Sequence, residues 1–273
     1  MLEYNPPYVV PDVPGIYALL DSRPERAQIE ARIDEILRHD RIGSPWLRGD
    51  YYFFEKQKVG DELWSINRRQ GNHGRDETLI APPPASSQGS RSVSLLDVSD
   101  DGELLAYSIR QGGEDETEIR IFNVKTRQDL PDHFARALYL GFAWKKDARG
   151  FYYTVGRRDV GKRLYFHRLS TNATNDVEVF GKGYGLDTWI EPIVSENGHY
   201  LLINVERGWA RGELFFKDLA NDGPIRELVK GIDARFLGRF SGDSLLVQTN
   251  WNASRYRILK IDLRDPAQEK WPL

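Results

Sequence analysis

One pattern recurs five times in this sequence, in RGDYYFFEKQ (48–57), SDDGELLAYSI (99–109), KDARGFYYTV (146–155), SENGHYLLINV (195–205) and SGDSLLVQTN (241–250). Each stretch is a polar turn followed by a run of aromatic and aliphatic residues. A second strand pattern follows each of them, in ELWSINR (62–68), EIRIFNVKT (118–126), RLYFHRLST (163–171), ELFFKDLAN (213–221) and YRILKIDLRD (256–265). The five units predict a protein built from repeated antiparallel strands.

The spacing of the units indicates which repeat fold they form. Matching turn positions at Ser99, Lys146, Ser195 and Ser241 follow one another after 47, 49 and 46 residues. A repeat of about 40–50 residues with four strands per unit is typical of β-propeller blades. The apolar runs are nearly continuous, so each strand is expected to be covered on both faces, as in stacked blades. The sequence therefore predicts an all-β fold of four-stranded propeller blades, with an irregular β-sandwich as the alternative.

The turns have residues suited to tight hairpins. Asp101-Gly102 and Asn197-Gly198 place residues that tolerate positive φ at the turn, and Gly150 and Gly242 are predicted to serve the same need.

Residues 1–45 lack the strand pattern and form a separate predicted domain. Residues 1–20 are Pro-rich and are expected to be extended. A helix is predicted from a capping box at Ser22 and Glu25, with Pro24 in its first turn, to a stop at Gly43 and Pro45. It has an apolar stripe, expected to pack on a neighbouring domain, formed by Ile29, Ile33, Ile36 and Leu37. Residues 46–273 form the second predicted domain, a partial propeller.

Composition excludes several classes of function. The chain has 38 Lys and Arg against 41 Asp and Glu, a net charge of -3, so no basic face for nucleic acid is expected. No apolar run reaches the ~20 residues that span a bilayer, and the N-terminus has no signal-peptide pattern. The chain has no cysteine, which is consistent with a cytoplasmic protein.

Four longer stretches resemble the prolyl oligopeptidase family. They are IEARIDEILRHDRIGSPWLRGDYYFFEKQ (29–57), SLLDVSDDGELLAYSIRQGGEDETEIRIFNVKT (94–126), DLPDHFARALYLGFAWKKDARGFYYT (129–154) and IDLRDPAQEKWPL (261–273). The resemblance covers about 230 of the 273 residues. Residues 1–20 lack the aromatic and acidic cluster with which the family opens.

The resemblance implies a fold and an activity. Family members have a seven-bladed, unsealed propeller that caps an α/β-hydrolase domain with a Ser-Asp-His triad. They cleave short peptides after proline without a cofactor, and the propeller restricts which substrates enter. Five units beginning near residue 48 fall short of the ~330 residues that seven blades of this period need. We therefore expect an incomplete seven-bladed propeller whose partners are short proline-containing peptides and a C-terminal hydrolase domain.

The sequence contains no catalytic signature of its own. A nucleophile elbow requires Gly-x-Ser-x-Gly, which is absent. No zinc, calcium or phosphate-binding motif is present, so we assign no metal ligand and no cofactor. The acidic pairs Asp100-Asp101 and Asp115-Glu116 are expected at hairpin tips. None of the histidines is predicted to be catalytic; they are His39, His73, His133, His167 and His199.

Matching to the family's substrate-pocket positions implies a small set of candidates. One position falls on Tyr139 and another on Trp209. A third falls on Trp189 or Ile190, because the spacing here is one residue shorter than in the family. Packing inside a blade is the alternative for Tyr139 and Trp189, whereas the glycine-flanked loop around Trp209 predicts exposure.

Two other functions stay open at the level of sequence. A stand-alone propeller that binds partners would close its ring within this chain. A five-bladed glycosidase would place carboxylates around a central channel.

Overall fold

The computed structural model describes residues 21–84, 89–242 and 244–271. The predicted extended segment 1–20 lies outside these residues. The described chain divides into two compact units. One contains the helix up to Arg41 together with Gln57–Glu62, and the other contains Ile42–Lys56 and the chain from Leu63 onward.

One α-helix, α1 (Glu25–Leu37), lies in the first unit. Good helix formers such as Glu, Ala and Arg favour it locally. The predicted capping box is wrong, because Pro24 occupies the N-cap position and no side chain caps the helix. The helix also ends at Leu37, well before Gly43, with the Arg38 N–H bonded to the Asp34 carbonyl.

The predicted apolar stripe of α1 is not buried among the described residues. Its four side chains are between 48% and 57% exposed, namely Ile29, Ile33, Ile36 and Leu37. No described helix is long and apolar enough to cross a membrane.

Five antiparallel sheets follow in chain order, and each corresponds to one predicted unit. Sheet 1 comprises β1 (Arg41–Ile42), β2 (Trp46–Arg48), β3 (Tyr51–Gln57), β4 (Ser65–Gln70) and β5 (Glu77–Ile80), with both β1 and β2 paired to β3. Sheet 2 comprises β6 (Arg91–Val98), β7 (Leu104–Gln111), β8 (Thr117–Asn123) and β9 (Gln128–Asp129). From β2 onward in sheet 1, and throughout sheet 2, successive strands are neighbours, which is the order of a meander.

The remaining three sheets repeat this order. Sheet 3 comprises β10 (Leu138–Trp144), β11 (Gly150–Arg157), β12 (Gly161–Arg168) and β13 (Val177–Phe180). Sheet 4 comprises β14 (Thr188–Val194), β15 (Tyr200–Arg207), β16 (Arg211–Asp218) and β17 (Ile225–Val229). Sheet 5 comprises β18 (Phe236–Ser241), β19 (Ser244–Thr249) and β20 (Arg257–Ile261). Short 3₁₀ turns lie at Ala173–Asn175 and Gln268–Lys270.

The hydrophobic core is divided into four clusters, one between each pair of successive sheets. Phe53 and Leu105 meet between sheets 1 and 2, and Ile119 and Phe151 between sheets 2 and 3. The other two clusters join Leu164 with Leu201 and Phe216 with Phe236. The sheets therefore stack face to face, as the continuous apolar strands predicted.

The turn before the second strand of a sheet has the same hydrogen bonds in two repeats. Ser99 Oγ donates to Asp101 Oδ1 at 2.6 Å, and Ser195 Oγ lies 2.8 Å from Asn197 Oδ1. Each serine hydroxyl also accepts the N–H that begins the following strand. Gly102 and Gly198 adopt φ of 71° and 75°, as predicted.

The prediction for Gly150 is wrong. Its φ is not positive, and Ala148 takes the positive φ of that turn at 51°. A Cβ on Gly150 would lie 2.4 Å from the His167 carbonyl oxygen, so glycine is required there by the close approach of two strands.

A glycine where sheets 4 and 5 meet gives a test of the interface between these two sheets. A Cβ on Gly212 would lie 2.2 Å from the Phe236 carbonyl oxygen, which is backbone and cannot rotate away. We expect Gly212→Ala to lower the free energy of unfolding by about 1–3 kcal/mol in urea titrations. Gly113→Ala is the matched control, since nothing lies within 4 Å of its Cβ position. Equal stability of the two variants would contradict this packing.

Candidate functional site

Strand β2 of sheet 1 and the first strands of the other four sheets surround one cavity of about 370 Å³. Sheet 1 contributes Trp46 and Arg48, and sheet 5 contributes Arg239. Sheets 2, 3 and 4 contribute the carboxyl-terminal parts of β6, β10 and β14 and the residues just after them. In a propeller, the innermost strand of every blade faces the central axis. These five strands converge in that way, so this cavity lies on the axis of the propeller.

The cavity also sets the direction of the strands. Because β6, β10 and β14 bring their final residues to it, these strands run the same way and begin together at the opposite end. We call that opposite end the amino end, and the end with the cavity the carboxyl end. Hairpins from each second strand to each third strand also lie at the amino end, because neighbouring strands are antiparallel.

Three of the four sequence-predicted site residues lie at the amino end. Tyr139 and Trp189 are each the second residue of a first strand, β10 and β14. Trp209 lies in the hairpin between β15 and β16. That hairpin is joined to the start of β14 by Thr188 pairing with Arg207, and by the Gly208 N–H bonded to the Asp187 carbonyl.

The two tryptophans are the accessible members of the set. Trp209 is 92% exposed and Trp189 is 52% exposed. The Trp189 ring has the Lys162 Nζ 5.0 Å from its centroid, a cation–π distance. Two large apolar rings that water reaches, on one end of one sheet, can stack against the ring of a ligand.

Ile190 and Tyr139 are placed differently. Ile190 is 1% exposed and lies in the cluster between sheets 3 and 4. Tyr139 is half-buried, packs 6.0 Å from the Tyr153 ring, and donates its hydroxyl to the Ala135 carbonyl. Burial, with the nearby negative charge of Glu118, raises the pKa of Tyr139 above its usual range, so it stays a neutral phenol.

Sequence patterns did not predict the charged groups around the axial cavity. Arg48 Nη2 lies 3.4 Å from Asp97 Oδ1 and its Nε donates to the Val98 carbonyl at 2.9 Å, which joins sheets 1 and 2. Lys146 pairs with Asp100 across sheets 2 and 3, and Arg239 pairs with Glu191 across sheets 5 and 4 at 3.0 Å. These ion pairs connect neighbouring sheets at the carboxyl end.

Asp97 has a perturbed acidity in this cavity. Burial raises the pKa of its carboxyl to about 6, against the opposing effects of the Val98 N–H and the Arg48 charge. The Val98 N–H donates to Oδ1 at 2.8 Å, and the Trp144 N–H lies 3.5 Å from Oδ2. The raised pKa follows from desolvation of the charged form.

A second polar cluster resembles part of a catalytic triad but is closed to solvent. His167 Nε2 lies 2.9 Å from Asp132 Oδ1, and His167 Nδ1 lies 2.9 Å from Asp176 Oδ1. Tyr153 Oη donates to Asp176 Oδ2 at 2.8 Å. The imidazole and the Asp132 carboxyl are 0% exposed, and Phe134 packs edge-on to the ring at 4.7 Å.

This geometry assigns His167 a structural role. Both ring nitrogens are engaged by carboxyl groups, and the ring is enclosed, so neither nitrogen can reach a substrate. Its partners come from the connection between sheets 2 and 3 and from the turn before β13. The side chain therefore fixes two connections to β12, and no substrate can reach it.

A metal site is absent from the chain as far as it is described. No group of three or more His, Asp or Glu side chains could hold an ion among the described residues.

The comparisons with known proteins fit this architecture. The model of the prolyl oligopeptidase N-terminal β-propeller domain matches residues 17–272. A prolyl endopeptidase of Elizabethkingia miricola is 27% identical over 258 residues, covering 91% of this chain and 36% of the relative. The prolyl endopeptidase of Elizabethkingia meningoseptica is 26% identical over 258 residues with the same coverage. The chain therefore spans about a third of the length of these relatives.

Solved structures have the same fold. One, from a study of two prolyl endopeptidases and their inter-domain dynamics, superposes with a TM-score of 0.81 at 24% identity. It matches 94% of this chain and 39% of its own. Prolyl oligopeptidase B from Galerina marginata, bound to a 35mer substrate, superposes with a TM-score of 0.76 at 18% identity. It matches 94% of this chain and 40% of its own.

The buried imidazole gives the first prediction from this site. Replacing it with an apolar side chain leaves the buried carboxyl groups of Asp132 and Asp176 without their imidazole partner. We expect His167→Leu to lower the free energy of unfolding by about 3–5 kcal/mol in urea titrations. His133→Leu is the control, because the His133 side chain is 75% exposed, and it should change little. A His167→Leu variant as stable as the control would refute the role assigned to this cluster.

The Asp97 carboxyl gives a pH-dependence. Its folded pKa of about 6 lies above the unfolded value near 3.9, so the folded state binds the extra proton between these values. Its contribution to stability is thus present below about pH 4 and is lost as the pH rises through 6. We expect Asp97→Asn to remove this loss, making the variant more stable than the wild type at pH 7 by up to about 3 kcal/mol.

The measurement is urea unfolding at pH 4, 5, 6 and 7, with the exposed Asp233→Asn variant as control. Asp97→Asn and wild type should converge at pH 4. If the difference in unfolding free energy between Asp97→Asn and the wild type were the same at every pH from 4 to 7, the raised pKa assigned to Asp97 would be contradicted.

Proposed function

Because this chain belongs to the family of prolyl oligopeptidase N-terminal β-propeller domains, we propose that its amino end faces the peptide substrate of a serine endopeptidase. In this proposal the complete enzyme cleaves short peptides after proline, and the chain restricts which substrates reach the catalytic centre. The bond-breaking chemistry resides in an α/β-hydrolase domain, since these 273 residues contain no Gly-x-Ser-x-Gly.

The observation that carries the proposal is the exposure of Trp209 and Trp189 at the same end of sheet 4. A hairpin tip normally presents polar residues. Trp209 is 92% exposed there, so its ring contributes almost no buried apolar surface to the stability of the fold. Aromatic rings pack well against the compact, apolar pyrrolidine ring of proline. The three residues Tyr139, Trp189 and Trp209 are therefore proposed as substrate contacts, with Ile190 supporting Trp189 from within the sheet interface.

The stacked sheets suit this role because they make the tryptophans part of a rigid frame. Trp189 lies in β14, and the residues just before and after it, Thr188 and Ile190, are each 1% exposed. Binding to a surface that is already ordered costs less conformational entropy than binding to a mobile loop.

The axial cavity gives less support to the glycosidase alternative. Four carboxylates line it, and three of them are each paired with a cation, namely Asp97, Asp100 and Glu191. A glycosidase needs one carboxyl to donate a proton and a second to act as an unpaired base or nucleophile.

The proposal predicts peptide binding without turnover. The 273-residue chain should bind a short proline-containing peptide in isothermal titration calorimetry and should not hydrolyse a chromogenic proline amide. Trp209→Ala should weaken binding roughly tenfold, the usual loss at an aromatic contact. Val177→Ala is the control, because Val177 is 65% exposed on the outer strand β13. Equal affinity of both variants, or turnover that persists through purification, would contradict the proposal.

A further inference from the structure

A lysine is held over the exposed ring of Trp189. Lys162 is the second residue of β12, and its Nζ lies 5.0 Å from the Trp189 ring centroid. The same ammonium donates a hydrogen bond to the Leu186 carbonyl oxygen. The side chain therefore crosses from sheet 3 to the start of sheet 4 at the amino end.

Backbone packing fixes the position of the Lys162 main chain. Gly161 precedes it with φ of 85°, and a Cβ there would lie 2.5 Å from the Gly185 carbonyl oxygen. A Cβ on Gly181 would lie 2.6 Å from the Lys162 carbonyl oxygen. The beginning of β12 and the connection to β14 are thus in direct backbone contact, so the ammonium is held in place beside Trp189.

The charge of Lys162 is not neutralised by an ion pair within the described chain. An ammonium has three N–H donors, and one of them serves the Leu186 carbonyl. Asp187 stabilises the charge from beyond ion-pair distance. The Lys162 side chain is half-buried, so solvation of its ammonium is incomplete, and this burial lowers its pKa.

By contrast, two arginines at this end have carboxylate partners. Arg157 pairs with Asp159 at 3.0 Å, and Arg211 pairs with Asp233 at 2.6 Å. Lys162 differs from them in being positioned by a ring and a carbonyl, which leaves its charge available to a ligand.

We propose that Lys162 is a specificity-determining residue that recognises a carboxylate on the peptide lying against Trp189 and Trp209. This rests on the proposed function, because it takes the amino end as the peptide-binding surface. The carboxylate is either the free C-terminus of a short peptide or a Glu or Asp side chain. Both present the same two oxygens to an ammonium, and both would gain from its incomplete solvation.

The test uses one short proline-containing peptide in four forms, with its affinity for the 273-residue chain measured by calorimetry. Two forms differ in a C-terminal carboxylate or carboxamide, and two differ in Glu or Gln beside the proline. We expect one carboxylate form to bind about fivefold more tightly than its amide, as an exposed charge pair allows. The pair of peptides that shows the preference identifies the source of the carboxylate.

Variants then assign the preference to Lys162. Lys162→Gln should abolish it while leaving the affinity for the amide forms unchanged, and Lys162→Arg should retain it. Lys125→Gln is the matched control, because Lys125 is exposed in the turn between β8 and β9, at the carboxyl end. Thermal unfolding of each variant confirms that it is folded.

The outcomes separate this inference from the proposed function. Suppose that peptides bind and that Trp209→Ala weakens their binding. If Lys162→Gln then keeps the carboxylate preference, or if the wild type shows no such preference, the role of Lys162 is wrong and the proposed function stands. If no form binds, or Trp209→Ala has no effect, both are wrong.

Discussion

Face-to-face contact between successive sheets is the constraint on which the rest of this structure depends. Each cluster of the core joins two sheets, so a single sheet buries little of its own apolar surface. The strand β15 shows the consequence, because five consecutive residues from Leu201 to Val205 are buried on both faces. In β19 of sheet 5, buried and less buried residues alternate, as expected where only one face is covered.

This stacking determines where functional groups can lie. Side chains within the strands are used for sheet-to-sheet packing, which leaves the strand ends for other purposes. At the carboxyl end, ion pairs such as Arg48 with Asp97 join neighbouring sheets around the axial cavity. At the amino end, Trp189, Trp209 and Lys162 remain accessible, and they carry the proposed recognition of peptides.

The repeat was predictable from sequence because its signals are local. Turn residues such as Asn197-Gly198 and continuous apolar runs require no knowledge of distant partners. The buried His167 cluster and the axial cavity were not predictable, since Asp132 and His167, or Arg48 and Asp97, are far apart in the chain. Which of Trp189 and Ile190 is exposed also needed coordinates, because alternation along β14 buries Ile190 and exposes Trp189. Gly150 was mispredicted as a turn residue, because the close approach of two strands, which no local motif reveals, is what requires glycine there.

Native-state hydrogen exchange tests the stacking of the sheets most directly. If stability resides in contacts between sheets, the amides of β7, β11 and β15, which have a sheet on either side, exchange slowest and with similar free energies. Amides of β19 then exchange faster than those of β15, although both are interior strands of their own sheets. Equal protection of β19 and β15, or slowest exchange in the outer strands β9, β13 and β17, would contradict the account.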